Sequence, residues 1–464
     1  MTGILDAADL DRLRAIVGEE RCLVGAAINP DYAHDELGGV ERAPDALARV
    51  KSTGEASAVM RLAHERRIPV VARGAGTGLV GGAVAVQGGI MIDTALMKQV
   101  LEFDENNFTI TVQPGITLTE LADFVQPRGF FYPPDPGEKS ATLGGGISTN
   151  AGGMRAVKYG VTRDYVRGLT AVLPDGEILT LGGKVAKDCS GYSLKDLVIG
   201  SEGTLAVVTE AVLRLLPLPA CTVGLLIPFP TSGEALSVVP DMLRAGAAPT
   251  AIEYMTLETV ELAERHLNKK FPGERHPAYL LLSFDGHDAG QVEREYAAAA
   301  EFCLERGASD AYVLDTEERK NLVWGMRGAF LEAIKASTPS MDECDVVVPR
   351  NRIAEFIGFT HALAADIGLR LPSFGHAGDG NLHVYLCRDA LDDDEWRRRM
   401  GAAFDALYRK AADLGGRVSG EHGIGFAKRE YLRRHAGDAQ VELMRRVKHA
   451  FDPHGILNPG KICT

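Results

Sequence analysis

Three glycine-dense stretches fall within the first 209 residues, each leading into or out of a β-branched run: PVVARGAGTGLVGG (69–82), PPDPGEKSATLGGGISTNAGG (133–153) and GSEGTLAVVT (200–209). Glycine weakens helix and strand interiors but lets the backbone turn sharply or approach another group closely. The first stretch contains a formal G-x-G-x-x-G, Gly76 to Gly81. A dinucleotide fold of the Rossmann kind would then require a helix start, and an acidic residue about twenty positions on to hold the ribose. Neither follows: residues 80–86 are glycine-rich and β-branched, and Asp93 comes too early. What survives is a cradle of backbone N–H groups converging on a pyrophosphate. The hydroxyls and amide of the second stretch suit phosphate, ribose or ring edges. Any one stretch alone reads better as a set of tight turns; three together argue for a large phosphorylated cofactor.

Strand-like runs at 68–72, 89–93, 108–112 and 205–209, with helix-like segments at 55–67 and 118–126, predict an α+β domain. The two prolines of LLPLP (215–219) end that pattern and mark a domain boundary. Strand-like and helix-like units then alternate. The runs are 223–227, a helix to Arg244, 251–254, a helix to Leu267, 279–284, an alanine-rich helix to Arg306, 311–314, a helix through Lys335, 345–348 and a helix at 352–367. Two short runs flanking FGHAGDGNLH (374–383) complete the series, and the order predicts an antiparallel sheet backed by helices. From about Leu391 the chain reads as helical, ending in the turn-rich FDPHGILNPGK (451–461).

A chain of 464 residues is too long for one core and divides into two or three domains. We expect three segments: 1–218, which binds the cofactor; 219–420, a substrate or cap domain with the antiparallel sheet; and 421–464, a helical segment returning to the cofactor. A net charge of −13 disfavours nucleic acid, and the one dense basic run, Arg397-Arg398-Arg399, lies beside Asp392-Asp393-Asp394-Glu395 as a solvated helix face. The amino terminus carries acidic residues where a signal peptide is basic, and no apolar run reaches membrane-spanning length. The expected location is cytoplasmic, reaching a membrane only peripherally through a partner. Seven cysteines contain no C-x-x-C pair, so neither an iron–sulfur cluster nor a four-cysteine zinc site is supported. Electrons, if the chain moves them, need an organic cofactor or a partner chain.

The succession PVVARGAGTGLVGG, PPDPGEKSATLGGGISTNAGGMRAVKYG and IGSEGTLAVVTE resembles the FAD-binding domain of the vanillyl-alcohol oxidase / p-cresol methylhydroxylase superfamily. Within it, FGHAGDGNLH, SGEHGIG and GILNPGK are similar to the FAD-linked D-2-hydroxy acid dehydrogenases: D-lactate dehydrogenases, the glycolate oxidase flavoprotein subunit and D-2-hydroxyglutarate dehydrogenases. The likeness runs from about residue 35 to 461. It implies a two-subdomain FAD-binding domain of the vanillyl-alcohol oxidase type, an antiparallel-sheet cap domain and a helical carboxyl-terminal segment. It also implies FAD on Arg73, Gly74, Ala75, Gly76, Thr77, Gly78, Gly81 and Gly82. Further FAD contacts are implied from Pro133, Asp135, Thr142, Gly145, Ser148, Thr149, Asn150, Gly152 and Gly153, and from Glu202, Gly203, Val208 and, at the flavin ring, Asn458. Covalently flavinylated relatives can carry a histidine in the pyrophosphate loop; Ala75, Gly76 and Thr77 offer none, so noncovalent FAD is expected.

In FGHAGDGNLH, Gly378 and the Asp379-Gly380 pair permit a sharp reversal that lets His376 and His383 face each other. Glu421 of SGEHGIG would complete two histidines and a carboxylate, a set that suits Zn²⁺, Mn²⁺ or Fe²⁺ and leaves positions open. Histidines that cap turns or bond core carbonyls are the alternative; the resemblance implies that these three positions ligate a divalent cation. Oxidising a 2-hydroxy acid needs a base for the hydroxyl proton and an acceptor for the Cα hydride. His422 is the candidate base. Arg327 is the candidate clamp for the substrate carboxylate, which the resemblance supports over an exposed helix arginine, and Asn381 a further contact on the substrate side. Members acting on D-2-hydroxyglutarate carry an additional cation where this chain reads SMDECD (340–345). A small monocarboxylate is therefore expected, D-lactate before glycolate, with its electrons passed to a partner protein or a quinone. D-2-hydroxyglutarate, direct oxidation by O₂, and a flavoprotein subunit relaying electrons to an iron–sulfur subunit or an electron-transferring flavoprotein, even with bifurcation towards NAD, are the alternatives, and a homodimer is left open.

Overall fold

A computed structural model describes residues 5–36 and 39–464. The amino-terminal reading begins within residues 1–4, and the resemblance runs across 37–38; both segments lie outside the described residues. The chain forms two compact units. The first comprises Met1–Ala151, Val161–Leu218 and His422–Thr464, and the second Gly152–Gly160 and Pro219–Glu421.

In the first unit β1 (Cys22–Val24), β2 (Ala46–Arg49), β3 (Val70–Arg73) and β4 (Ile90–Asp93) form a sheet ordered β1-β2-β4-β3, parallel except at β1. All four residues of β4 are buried, as expected of a parallel strand covered on both faces. Helices Ala7–Val17 and Thr53–Arg66 bring Leu13, Val17, Val59 and Met60 onto this core. A second, antiparallel sheet contains β5 (Val100–Asp104), β6 (Thr109–Val112), β8 (Val166–Val172), β9 (Ile178–Gly182) and β10 (Val207–Arg214) in the order β5-β6-β10-β8-β9. Short β7 (Phe130–Phe131) pairs with β11 (Leu216–Pro217).

The chain's end returns to the first sheet. Leu457 bridges Val70 in parallel, and the Asn458 N–H donates to the Val70 carbonyl at 2.6 Å. The helical tail is thus divided: Asp393–Asp413 belongs to the second unit, whereas Arg429–Ala436 and Asp438–Phe451 belong to the first.

The second unit is built on seven antiparallel strands: β12 (Cys221–Phe229), β13 (Ala251–Thr256), β14 (Ala278–Gly286), β15 (Tyr312–Leu314), β16 (Met341–Val347), β17 (Ser373–His376) and β18 (Asn381–Cys387). Their order is β15-β12-β14-β13-β17-β18-β16.

Three local expectations change. The acidic run ahead of residue 345 is part of β16. The helix expected to run through Lys335 is two, Glu317–Gly328 and Phe330–Lys335, meeting at Ala329. And a helix, Leu143–Thr149, forms inside the second glycine stretch despite a cost of about 1 kcal/mol per glycine. Its ends explain it. The Thr142 hydroxyl caps the Gly145 N–H, and Asn150 takes the left-handed conformation that closes the helix. Gly144 packs where a Cβ would stand 2.6 Å from Pro114 Cβ.

Candidate active site

In the first unit, residues 74–89 form neither helix nor strand, so the glycine loop has no helix dipole behind it. The absence of side chains is enforced by space. A Cβ on Gly74 would lie 2.0 Å from Thr142 Oγ1, and one on Gly76, at φ +79°, 2.0 Å from Arg73 Nη2. Gly81, at φ +70°, faces Phe426 and Val40.

Several side chains expected at the cofactor are committed to the protein itself. Arg73 donates to the carbonyls of His34 and Asp31 at 2.7 and 2.9 Å. Asp135 accepts from Lys139 and from the Gly137 N–H. Ser148 and Thr149 return their hydroxyls to the Gly144 and Gly145 carbonyls, and Asn150 Oδ1 takes the Arg163 N–H. Pro133 is buried, as is Val208 on β10, and Gly203 turns at φ +67° beside Asn458. Gly152 and Gly153 open the short excursion that belongs to the second unit. The loop therefore offers mainly bare backbone, as a pyrophosphate cradle requires. Asn458 adds an acceptor: its amide donates to the Gly82 and Glu202 carbonyls, while its Oδ1 is buried with no hydrogen-bond partner among the described residues. A bare-backbone loop and an orphaned acceptor together fit FAD.

Glu202 does something that sequence reasoning missed. It stands at φ +52°, and its buried carboxylate accepts from the Ile424 N–H at 2.8 Å and the Gly425 N–H at 2.6 Å. Burial raises its pKa, against the pull of those two N–H groups. A Cβ on Gly423 would stand 2.8 Å from Glu202 Oε1, which explains a glycine immediately after His422. Phe426 and Ala427 then donate to the Val80 carbonyl, tying the same segment to the glycine loop.

In the second unit a constellation is set by strand register. Glu253 on β13 pairs with His376 on β17, and Phe374 of β17 with His383 of β18, which in turn pairs with Asp345 of β16. Period-two alternation then puts Glu253, His376, His383, Asn381, Glu343 and Asp345 on one sheet face. The imidazole rings are 5.3 Å apart and nearly perpendicular. Their Nε2 atoms lie 3.4 Å (His376) and 3.5 Å (His383) from the same Glu421 Oε1, so that three ligand atoms fall within 4.8 Å of one another. The opposite nitrogens face carboxylates: His376 Nδ1 is 2.7 Å from Glu253 Oε1, and His383 Nδ1 is 3.0 Å from Glu343 Oε1. Carboxylates behind imidazoles in this way orient them and raise their basicity as ligands.

Glu421 is held by Asp345, whose Oδ2 accepts from the Ser419 hydroxyl at 2.7 Å and from the N–H groups of Gly420 and Glu421. Asn381 donates to Asp345 Oδ1 at 2.6 Å and to the Val346 carbonyl. Its amide nitrogen thus supports the loop and has no hydrogen left for a substrate. Arg327 is buried, not an exposed helix arginine, and its Nε and Nη2 both donate to Glu253 Oε2. The edge expected to fork onto a substrate is therefore already turned to Glu253.

Burial alone would push the His376 imidazole down, but the Glu253 and Glu421 carboxylates outweigh it and hold the ring well above the ordinary histidine range. Burial raises Glu253, and His376 with Arg327 more than reverse that. So many carboxylates on one buried face demand positive charge, whether protons or a cation.

Glu253, Glu343 and Asp345 were not identified beforehand as site residues. The signals existed: a lone acid in the apolar run 251–254, and two acids spaced by two in 343–345. The second pair fell at or beyond the edge of the expected strand. His422 begins the last segment of the first unit, directly after Glu421 closes the second.

A profile for the FAD-binding domain matches residues 44–182, and one for the FAD-linked oxidases, C-terminal domain, matches 218–462. The chain is 48% identical over 453 residues to a D-lactate dehydrogenase of Anaerostipes hadrus, covering 96% of this chain and 95% of that one. It is 38% identical over 432 residues to the glycolate oxidase subunit GlcD of Bacillus subtilis, covering 93% and 91%. Among solved structures, p-cresol methylhydroxylase with substrate bound superimposes with a TM-score of 0.78 at 17% identity, covering 98% of this chain and 96% of that one. Among the described residues, no helix is long and apolar enough to cross a membrane. With glycine cradle, antiparallel sheet and near full-length identity in agreement, the chain belongs to the FAD-linked oxidases and is an FAD-dependent oxidoreductase with the fold of p-cresol methylhydroxylase.

Proposed function

We propose that this enzyme oxidises a small D-2-hydroxy acid, D-lactate before glycolate, to the 2-oxo acid, with noncovalent FAD and a divalent cation (Zn²⁺, Mn²⁺ or Fe²⁺) held by His376, His383 and Glu421. The observation that carries this reading is the convergence of those three ligand atoms within 4.8 Å, each imidazole backed by a carboxylate. The identity to a D-lactate dehydrogenase along nearly the whole chain supports the substrate class. Bound FAD supplies the hydride acceptor, and the cation a Lewis acid for the hydroxyl.

The chain's own residues then divide the work. His422 takes the hydroxyl proton; it follows Glu421, so its Cα is about 3.8 Å from that of a ligand residue. Arg327 answers the substrate carboxylate with the Nη1 side of its guanidinium, because Glu253 holds Nε and Nη2. Glu343 and Asp345 of β16 disfavour a second carboxylate and select against 2-hydroxyglutarate. Asn381 positions Asp345, and through it Glu421. Ala75, Gly76 and Thr77 carry no imidazole to attach the flavin. The reduced enzyme passes its electrons to a partner, an iron–sulfur protein or an electron-transferring flavoprotein.

Anaerobic bleaching of the flavin by a panel of D- and L-2-hydroxy acids tests the reading. D-lactate should bleach fastest; bleaching by L-acids alone, or by D-2-hydroxyglutarate ahead of D-lactate, would overturn the assignment. Yellow colour left on acid-precipitated protein would contradict noncovalent attachment.

A further inference from the structure

The cation cluster and Arg327 meet on one side chain. Glu253 is fully buried on β13 among Ile252, Tyr254 and Met255, and both of its oxygens are engaged. Oε1 lies 2.7 Å from His376 Nδ1, while Oε2 accepts from Arg327 Nε at 2.9 Å and from Nη2 at 2.5 Å. The partners are 123 and 74 residues away, so both contacts exist only once the sheet has formed. A carboxylate buried in this way is costly unless each side meets a donor.

The two contacts do different things. A carboxylate accepts, so His376 turns its Nδ1 hydrogen to Glu253 and keeps Nε2, the nitrogen 3.4 Å from Glu421 Oε1, as its ligating atom. Arg327 comes from the last turn of the helix Glu317–Gly328 and is held on a second side by Phe374, whose ring centroid is 4.4 Å from its Cζ. Phe374 stands two residues before His376 on β17 and shares its face. Guanidinium and imidazole are thus both set against one carboxylate and one strand.

We propose that Glu253 is a positioning residue shared by cation and substrate: a single carboxylate sets the His376 tautomer that ligates the metal and the Arg327 edge left for the substrate's acid. The inference rests on the cation and the clamp proposed above, and adds that neither can be adjusted without the other.

Sharing makes a specific demand. The amide of Glu253→Gln has one acceptor oxygen and one donor nitrogen, so it can serve one partner and must oppose the other. The buried guanidinium, a charged donor, takes the oxygen. The amide nitrogen then faces His376 Nδ1, which has to accept, and the ring's hydrogen moves to Nε2, the atom needed for the cation. Without Arg327 the same amide is free to turn its oxygen to His376.

The Zn²⁺ affinity of the flavin-loaded enzyme, measured by competition with a fluorescent chelator, tests this. Glu253→Gln should weaken Zn²⁺ about 10–100-fold, the usual loss when the partner behind a ligating imidazole is removed. Glu253→Gln combined with Arg327→Met should recover to within a few-fold of the parent, although the clamp is gone. Glu253→Met combined with Arg327→Met carries the same charge but offers His376 no acceptor, so it should stay weak. Neither double variant leaves a buried charge of this pair unmatched, so their comparison decides the matter even where Glu253→Gln alone fails to fold. Unchanged Zn²⁺ affinity in Glu253→Gln, or equal affinity in the two double variants, would overturn the proposal. A parent enzyme that binds no Zn²⁺ would overturn the cation reading itself, and this inference with it.

Discussion

Residues 74–82 and the β13–β17–β18–β16 face are built in opposite ways. The first works by subtraction: where a Cβ would collide with Thr142 or Arg73, glycine leaves backbone N–H groups bare, while nearby polar side chains are turned into the protein. The second works by accumulation: four carboxylates and two imidazoles crowd onto adjoining strands and the loop ending at Glu421, each imidazole with a carboxylate oxygen beside its Nδ1. A backbone cradle recognises a shape common to many nucleotides, whereas the side-chain cluster commits to a chemistry. Identity and reactivity should therefore fail separately.

The largest expected break is on the subtractive side. Gly76→Val, forced to φ +79° and against Arg73, should purify without FAD and without activity, measured as the ratio of flavin to protein absorbance, with unfolding still cooperative. The mirror experiment is His422→Asn, which should keep its flavin and lose about 10²–10⁴ in turnover under anaerobic stopped-flow reduction. If each variant lost both properties, the division of labour would be wrong.

A subtler test probes how the tail supports the cradle. Lys461 is fully buried, its ammonium donating to the Val84 carbonyl at 2.6 Å, and burial brings its pKa down to about 8 despite Asp35 and Glu202. Between that value and the unfolded value of 10.5, the unfolded chain holds a proton that the folded one does not. Stability should therefore rise with pH across that window, by up to about 3 kcal/mol from this group, and stay flat in this term below it. Urea unfolding of Lys461→Met should lack that rise relative to the parent.

The smallest effect concerns the hinge of the comparison. Glu202 grips the loop behind His422, so Glu202→Gln, which forfeits one of two N–H partners, should lower turnover about tenfold. Because a positioning role acts on the base, its kcat should fall more than its KM changes.

The two regions also differ in how far the sequence revealed them. Glycine positions and the strand-like runs carried local signals, so the glycine loop and the antiparallel second domain were readable from neighbouring residues. The structure brings the ligand atoms of His376, His383 and Glu421 together, and the glycines of FGHAGDGNLH and SGEHGIG had marked both segments as turns. Glu253 had no such mark: it lies 123 residues from His376, and only sheet register makes them neighbours. Separations of 74 and 36 residues likewise hid the turning of Arg327's forked edge to Glu253 and of the Asn381 amide to Asp345. The Leu143–Thr149 helix was missed because local propensity argues against three glycines in a row, and caps and packing overrode it.

The central claim is that the cluster on β17, β18 and Glu421 holds a catalytic cation independently of FAD. Its most direct test is the divalent-metal content per flavin of the parent enzyme and of His376→Ala, alongside turnover. We expect about one equivalent in the parent, little in the variant, and flavin undiminished in both. A parent enzyme stripped of divalent metal that turns over D-lactate at its full rate would contradict the account.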